Sequence, residues 1–554
     1  MRKAVILAVV LTMLLTAVLS QTVISVAETS ASIYEAEDGI LTGTVKSTSS
    51  PGYSGSGYVT GFDTDGDSVT INVNIAAAGL YSLSVRYNAP YGSKVCSLVV
   101  NNTPAGEVSL KETTGFIEIP ANKVYLNSGS NSIKIDKNWG WYEIDYIRIQ
   151  EASISAPHQV TKALVNPNAT YEAKALMSYL VDTYGKKNIS GQQEISNLSW
   201  YDSNIGKKPA LMGFDMMDYS PSRVEFRTSS TEAEKAIEWW TKNKGIVTFC
   251  WHWNAPKDLI NQAPDKMWWS GFYTRATTFD IAYAMNNPGS LDYQLLIRDI
   301  DAIAVQLKKL QAANVPVLWR PLHEAGGGWF WWGAKGAEPC KKLYILMYER
   351  LTNHHKLNNL IWVWSTPEAD WYPGDQYVDI IGYDSYPGAF NYNPVIGRYD
   401  GLVSIVGDKK IVALTENGPI PDPENLIGYG AHWSWFCTWH GFQTQENSLD
   451  HMKKVFNHDY VITLDELPDL KTYPVGDVTP QPTPPVTAGD LNGDGNIDST
   501  DYTLLKRYII KIILGLPVKD KIGAADLNRD GEINSTDLTI LKRYILKIIS
   551  KIPI

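Results

Sequence analysis

The sequence has little cysteine: 4 in 554 residues, at Cys96, Cys250, Cys340 and Cys437. So few exclude a disulfide-stapled scaffold, and buried free thiols are expected. Positive charge is also scarce, since 49 Lys and Arg against 59 Asp and Glu give a formal net charge of -10. A general nucleic-acid binder needs a basic face to neutralise phosphates, so that class is excluded. Beyond the N-terminus no apolar run is long enough to cross a bilayer, and no membrane span is expected in the processed chain. No glycine-rich phosphate fingerprint follows the first strand-like run of the middle region, which argues against an open dinucleotide-binding sheet. His323 and Glu324 are adjacent, but an HExxH zinc motif would need histidine where Gly327 stands, so no catalytic metal or other cofactor is expected.

Aromatic residues abound instead, with Trp 19, Tyr 31 and Phe 12. Seventeen of the tryptophans fall between Trp200 and Trp439, the mark of a middle domain that stacks flat apolar faces. At 554 residues the chain should hold three or four domains. Residues 1–27 read as a secretory signal rather than an anchor: Arg2 and Lys3 precede an apolar run, and Ser25 and Ala27 supply small residues for cleavage. The protein is therefore expected outside the cell. Residues 32–151 alternate in short runs such as 69–75, 81–87 and 132–135 between Gly, Asn and Pro turns, the pattern of a β-sandwich.

Across 158–474 strand-like runs alternate with amphipathic helices such as 231–242 and 293–313. The runs are 188–192, 209–215, 245–253, 315–323, 360–365, 378–384, 410–416 and 431–436, eight in all, which predicts a (β/α)8 TIM barrel. Residues 475–487 are a Pro/Thr linker, a semi-rigid spacer.

Residues 488–554 hold a repeat of period 36, DLNGDGNIDSTD from Asp490 and DLNRDGEINSTD from Asp526. Oxygen-bearing side chains at positions 1, 3, 5, 9 and 12, with glycine at 6, are the requirements of an EF-hand-like calcium loop. The first set is Asp490, Asn492, Asp494, Asp498 and Asp501 with the Asn496 carbonyl, and the second is Asp526, Asn528, Asp530, Asn534 and Asp537 with the Glu532 carbonyl. Asp at position 12 replaces the usual Glu. An apolar helix follows each loop, making a small α-helical module. It resembles a type I dockerin, a resemblance that implies two calcium ions, cellulosome association and a cohesin partner. The contact positions it implies are Ser499, Thr500, Lys506 and Arg507, then Ser535, Thr536, Lys542 and Arg543.

In the barrel, VPVLWRPLHEAGGGWFWWG ends the fourth run with Glu324, and KIVALTENGP ends the seventh with Glu416. Barrel enzymes assemble their sites at strand C-termini, and two carboxylates from different strands suit a retaining glycosidase. Arg320 shares strand parity with Glu324 and is expected to point with it toward the site. WRPLHE and LTENG together resemble glycoside hydrolase family 26. That resemblance implies Glu324 as acid/base, Glu416 as nucleophile and Arg320 and His323 as orienting groups. It also places Asp384 and Tyr386 near the nucleophile and makes His252 a sugar contact. Mannan is the commonest substrate it implies, with β-1,3-1,4-glucan and β-1,3-xylan as alternatives; a noncatalytic glycan-binding protein is the alternative outside the enzyme class. Trp253, Trp329 and Trp433 are candidate sugar contacts, with about half of the middle tryptophans expected in the core.

YEAEDG at Tyr34 and NWGWYEIDYIRI at Asn138 resemble carbohydrate-binding module family 35. The resemblance implies a structural calcium held by Glu35, Glu37 and Asp145, and Asn138, Trp139 and Trp141 offer a sugar platform.

Overall fold

A computed structural model describes residues 31–152, 158–475, 487–492, 496–510, 516 and 521–552. The signal segment, most of the linker and Asp494 lie outside them. Residues up to Val475 form one compact unit and those from Gly476 another.

The first unit begins with two packed antiparallel sheets. One orders its strands Val45–Ser47, Tyr58–Thr60, Glu143–Glu151, Gly79–Asn88 and Ile117–Leu126, with Ser32–Glu35 also on Glu143–Glu151. The other runs Ile40–Thr42, Ser68–Ile75, Gly129–Trp139, Lys94–Val100 and Thr103–Leu110. Val69, Ile71, Val73 and Ile75 turn inward while Asn72 and Asn74 face water, the period-2 alternation of a half-buried strand.

The barrel follows. Seven parallel strands pair in chain order: Gly191–Gln193, Leu211–Asp215, Ile246–Cys250, Val317–Arg320, Leu360–Trp364, Ile380–Ser385 and Ile411–Asn417. Their burial is nearly continuous, as expected for strands with helices on one side and a packed interior on the other. The eighth run closes the ring through bridges: Ser434 N donates to Val412 O and Phe436 N to Ile189 O. Thr438 N donates to Gly191 O. The closing segment is 434–439 rather than 431–436, because Trp433 N folds back onto Ala431 O in a tight turn. The first run also divides, with Asn188–Ile189 pairing instead with Val461–Ile462.

Helix Leu291–Ala312 starts at Ser290, whose hydroxyl accepts from Tyr293 N, and buries Leu296, Ile300, Ile303, Leu307 and Leu310 at helical spacing. The helix expected over 231–242 is α-helical only over Glu232–Glu238. It widens into a π turn, Trp239–Asn243, that seats two fully buried indoles, Trp239 and Trp240.

Sandwich and barrel are in direct contact. Lys123 Nζ lies 2.9 Å from Asp400, Tyr125 N donates to Tyr429 Oη at 3.1 Å, and Asn393 Nδ2 donates to the Pro104 carbonyl at 3.0 Å. All four cysteines are buried free thiols.

The second unit is small. Helices Ser499–Ile509 and Ser535–Ile545 enclose a core of Leu491, Leu505, Leu516, Ala524, Ala525, Leu527, Leu541 and Ile552. No described helix is long and apolar enough to cross a membrane.

Candidate active site

The fourth strand ends at Arg320, earlier than expected, and parity does not carry on to Glu324. Leu322 and Glu324 both take left-handed backbone conformations, φ 54° and 53°. Such geometry costs a non-glycine residue about 1 kcal/mol and is held here by neighbouring structure. Glu324 N donates to Ser365 O at 3.2 Å and Ala325 N to Thr366 Oγ1 at 3.0 Å, so the end of the fifth strand fixes the turn.

On the far side of the barrel the ladder between strands six and seven slips by one residue at Thr415, bringing Asp384 opposite Glu416. A bulge of this kind re-aims side chains beside a site. Thr415 turns its hydroxyl to Asp384 Oδ1 at 2.7 Å. Gly382 makes room for it, since a Cβ there would lie 2.4 Å from Thr415 Cγ2. Arg320 spans the gap from the fourth strand: Nη1 donates to Asp384 at 2.8 Å and Nη2 to Glu416 Oε2 at 2.5 Å. Tyr386 Oη donates to the other Glu416 oxygen. Both oxygens of Glu416 are thus held by donors from different elements, fixing the carboxylate in place.

Glu324 stands in a different environment. Burial first, and then the charge of Glu416, push its carboxyl up to about 7, against the downward pull of the Trp329 hydrogen bond and of Arg320. Trp329 Nε1 donates to Oε2 at 2.9 Å, and its ring is 49% exposed, open to a ligand. Two carboxylates are therefore set apart by environment: one is clamped by cationic and phenolic donors, the other stays protonated into the neutral range.

His252 and His323 adjoin the pair. Their Nε2 atoms lie 3.2 Å apart, and His252 Nδ1 lies 2.6 Å from Asp215 Oδ2. Phe272, Phe330 and Trp439 present ring edges to His252. Burial holds the His323 imidazole well below the ordinary histidine range, reinforced by Arg320 and His252. Among the described residues Asp215, Cys250 and His252 bring donor atoms within 4.8 Å of one another. Their protons are already placed within the protein: His252 bonds Asp215, and the Cys250 thiol, held protonated by burial, faces Phe214 O at 3.6 Å.

Two expected sugar contacts belong to the core. Trp253 is fully buried, stacks on Trp251 at 4.1 Å and donates Nε1 to Asp299 at 2.8 Å. Trp433 is equally buried and donates to Pro394 O at 2.9 Å. Eleven of the seventeen middle tryptophans are fully buried, so the cluster mainly fills the barrel's interior and flanks.

In the sandwich Trp139 and Trp141 are 64% and 63% exposed. Asn138 is engaged by Glu107 at 2.7 Å and Ser97 at 3.2 Å. Trp141 lines a cavity of about 120 Å³ with Thr60, Asp63, Pro90 and Tyr91. The calcium expectation fits in two positions of three. Glu35 accepts from Ser54 Oγ and Glu37 from Ser56 N, both at 2.7 Å, and Glu37 Oε2 is buried without a hydrogen-bond partner among the described residues. Burial raises the Glu35 carboxyl; Ser54 opposes this and the charges of Glu37, Asp145 and Asp38 add to it, a crowding that suits a cation. At the third position the fully buried Asp145 carboxylate pairs with the Arg86 guanidinium through one oxygen and accepts from Ser54 N at 2.9 Å through the other.

In the C-terminal unit the position-12 residues Asp501 and Asp537 are fully buried and accept backbone N–H bonds across their loops. Leu491 N donates to Asp501 and Leu527 N to Asp537, each at 2.7 Å. Asp526 and Asp530 accept from Gly531 N and Glu532 N, and Asn528 Nδ2 donates to Asp530. Asp498 and Asn534 also cap the helices, accepting from Thr500 N and Thr536 N. This hard-oxygen donor set fits calcium, with Asp490, Asn492 and Asn496 in the first loop. Ser499, Thr500, Lys506, Ser535, Thr536, Lys542 and Arg543 are exposed, and Arg507 is half-buried.

The model of glycosyl hydrolase family 26 matches residues 165–466. The chain belongs to that family. Models of carbohydrate binding module family 35 and of the type I dockerin domain match residues 32–152 and 488–546. A mannan endo-1,4-beta-mannosidase of Thermothelomyces thermophilus is 49% identical over 79% of this chain and 91% of its own length. Mannan endo-1,4-beta-mannosidase B of Piromyces sp is 38% identical over 79% and 77%. Among solved structures, a Podospora anserina GH26-CBM35 β-(1,4)-mannanase aligns with TM-score 0.59 at 49% identity, covering 80% of this chain and all of the other. A ruminal GH26 endo-β-1,4-mannanase aligns with TM-score 0.60 at 31% identity, covering 79% and 98%.

Within this family 26 glycoside hydrolase, the sequence reading missed Asp215, Ser365, Thr415 and Trp439 as parts of the site. Asp215 left a signal: it is a carboxylate at the C-terminal end of a barrel strand, where Glu416 also stands.

Proposed function

We propose that the protein is a secreted endo-β-1,4-mannanase that cleaves mannan with retention of anomeric configuration and joins a cellulosome through its dockerin. The observation that carries the chemistry is the contrast between Glu416 on the seventh strand, clamped by Arg320 and Tyr386, and Glu324, in the turn after the fourth, whose carboxyl burial and Glu416 push up to about 7. Glu416 attacks the anomeric carbon while Glu324 gives its proton to the leaving glycosidic oxygen, forming a covalent glycosyl-enzyme. Glu324, now ionised, then takes a proton from water as that water attacks the same carbon and releases Glu416. Arg320 and Tyr386 hold the nucleophile, Asp384 holds Arg320, and the exposed Trp329 ring stacks on a sugar beside the acid.

Mannan as substrate is supported by the curated and solved relatives, whose names specify β-1,4-mannan cleavage. Trp139 and Trp141 present a sugar platform on the family 35 module, where Glu35 and Glu37 would hold a structural calcium. The dockerin loops would each hold calcium and present the Ser-Thr pairs with Lys506, Arg507, Lys542 and Arg543 to a cohesin. The test is hydrolysis of pure mannan, barley β-glucan and β-1,3-xylan side by side, with NMR of the first anomer formed. Rapid cleavage of mannan alone to the β-anomer is expected. Preference for another glycan, or an initial α-anomer, would overturn the corresponding part.

A further inference from the structure

Asp215 ends the second barrel strand and lies against His252, just past the end of the third. Its two oxygens meet the same residue, Oδ1 accepting from His252 N at 3.1 Å and Oδ2 lying 2.6 Å from Nδ1. A carboxylate only accepts, so Nδ1 carries a proton and the ring cannot flip without losing that bond. The other end of the ring is equally constrained. His252 Nε2 and His323 Nε2, 3.2 Å apart, share one hydrogen between them. His323 Nδ1 is buried without a hydrogen-bond partner among the described residues. Two arrangements are open to the chain. Either His323 donates to a neutral His252, or His252 is an imidazolium that donates at both nitrogens and the His323 proton sits on Nδ1.

We propose that Asp215 is a positioning residue of the hydrolytic site, holding His252 as a doubly donating imidazolium between itself and His323 and so supplying a fixed positive charge beside Glu324 and Glu416. This rests on the reading of those two residues as the catalytic pair. The groups facing His252 are Asp215 from strand two, Cys250 from the end of strand three, Arg320 from strand four with His323 and Glu324 in the turn after it, and Glu416 from strand seven; the remaining walls are the Phe272, Phe330 and Trp439 rings. Burial by itself would lower the His252 imidazole. Asp215, by charge and hydrogen bond, together with Glu416, outweighs burial and Arg320 and raises it above the ordinary histidine value. Burial likewise raises Asp215, and His252 reverses that, leaving its carboxyl below the usual range. The positive ring pulls down the Glu324 carboxyl, so the second strand reaches the acid/base through a histidine that never bonds it.

The test is the pH dependence of kcat/KM on mannan for Asp215→Asn and Asp215→Glu in the full chain. With Asn, His252 loses its counter-charge and becomes neutral, Glu324 holds its proton to higher pH, and the basic limb moves up by about one pH unit. The Glu variant brings the limb back toward wild type. A basic limb in Asp215→Asn that overlays the wild type, whatever the fall in kcat, overturns the proposal, since a merely structural role would lower activity without moving the profile. If the Asn variant does not fold, the 15N signals of His252 in the wild type, assigned by their absence in His252→Gln, decide. Two protonated ring nitrogens at pH 6.5 support the proposal and one overturns it. Retained mannan hydrolysis in Glu324→Ala would instead remove the catalytic reading beneath it, a separate failure.

Discussion

The Trp329 indole donates its N–H to Glu324 Oε2 at 2.9 Å, so one side chain is both an exposed ring and a hydrogen-bond donor to the buried carboxyl. The bond favours the ionised carboxyl and opposes the burial that raises it. Trp329→Phe keeps a ring and removes the donor. The Glu324 carboxyl should then rise above about 7, and the basic limb of kcat/KM should move up by roughly half a pH unit. A limb that stays in place, with only KM raised, would leave Trp329 a sugar platform alone.

The two carboxylates should fail differently. Glu324→Ala is expected to cost roughly 10²–10⁴-fold on mannan but far less on an aryl mannoside whose leaving group needs no proton. Glu416→Ala should abolish turnover on both, because no glycosyl-enzyme forms. Equal losses on both substrates in the two variants would contradict the division of roles. Thermal unfolding of each variant separates chemistry from folding.

Ionising the buried Glu324 carboxyl also weakens the fold. Glu324 has its folded value raised to about 7, above the roughly 4.3 of an unfolded chain. Its contribution is fully present below about pH 4 and is lost as pH rises through 7. At pH 8 the folded barrel carries a buried carboxylate the unfolded chain would solvate. Glu324→Gln should therefore stabilise the protein at pH 8 by roughly 2–4 kcal/mol, a gain that falls away between pH 7 and pH 4. Denaturant unfolding at the two pH values measures this; a larger gain at the acidic value would reverse the sign.

What the sequence made legible follows the physics of each residue. The second to seventh strand-like runs and both motifs were readable because burial on all sides imposes apolar stretches ending in polar residues, whereas the first and eighth carry polar residues and there the structure divides one and shifts the other. The turn that aims Glu324 was not, since Leu322 and Glu324 adopt left-handed backbone with no glycine to mark it. Nor was the one-residue slip at Thr415, whose side chain fits only because Gly382, paired with Ala413, carries no Cβ. Tryptophan carries no label for core or surface: Trp329 and Trp331 lie two residues apart, one 49% exposed and the other buried beneath Trp253.

That difference is measurable. Trp433→Ala and Trp253→Ala remove fully buried indoles that hydrogen-bond to Pro394 O and Asp299, and each should destabilise the barrel by about 3–5 kcal/mol. KM of whatever fraction stays folded should be little changed. Trp329→Ala should do the converse, raising KM with little effect on unfolding. A Trp433 variant of normal stability and weakened mannan binding would return that residue to the substrate site.

The dockerin loops offer the clearest case for a metal. Among its described residues the module's core is eight buried residues, none of them aromatic, and two of its most buried side chains are Asp501 and Asp537. A small domain with so little apolar burial draws folding energy from bound metal when it has the ligands. In the first loop burial raises the Asp501 carboxyl, while backbone N–H groups of Asp498, Leu491 and Asn492 pull it back and the charge of Asp490 raises it again. A divalent cation would relieve that repulsion. Calcium removal from the full chain should therefore open residues 488–554 to limited proteolysis while mannan hydrolysis continues, since the barrel lies in the other compact unit. Re-adding calcium should restore protection. Asp501→Ala and Asp537→Ala should each abolish one calcium-binding event by calorimetry and leave the other. Equal protease resistance of the tail in chelator and in calcium would show that its fold does not depend on the ion.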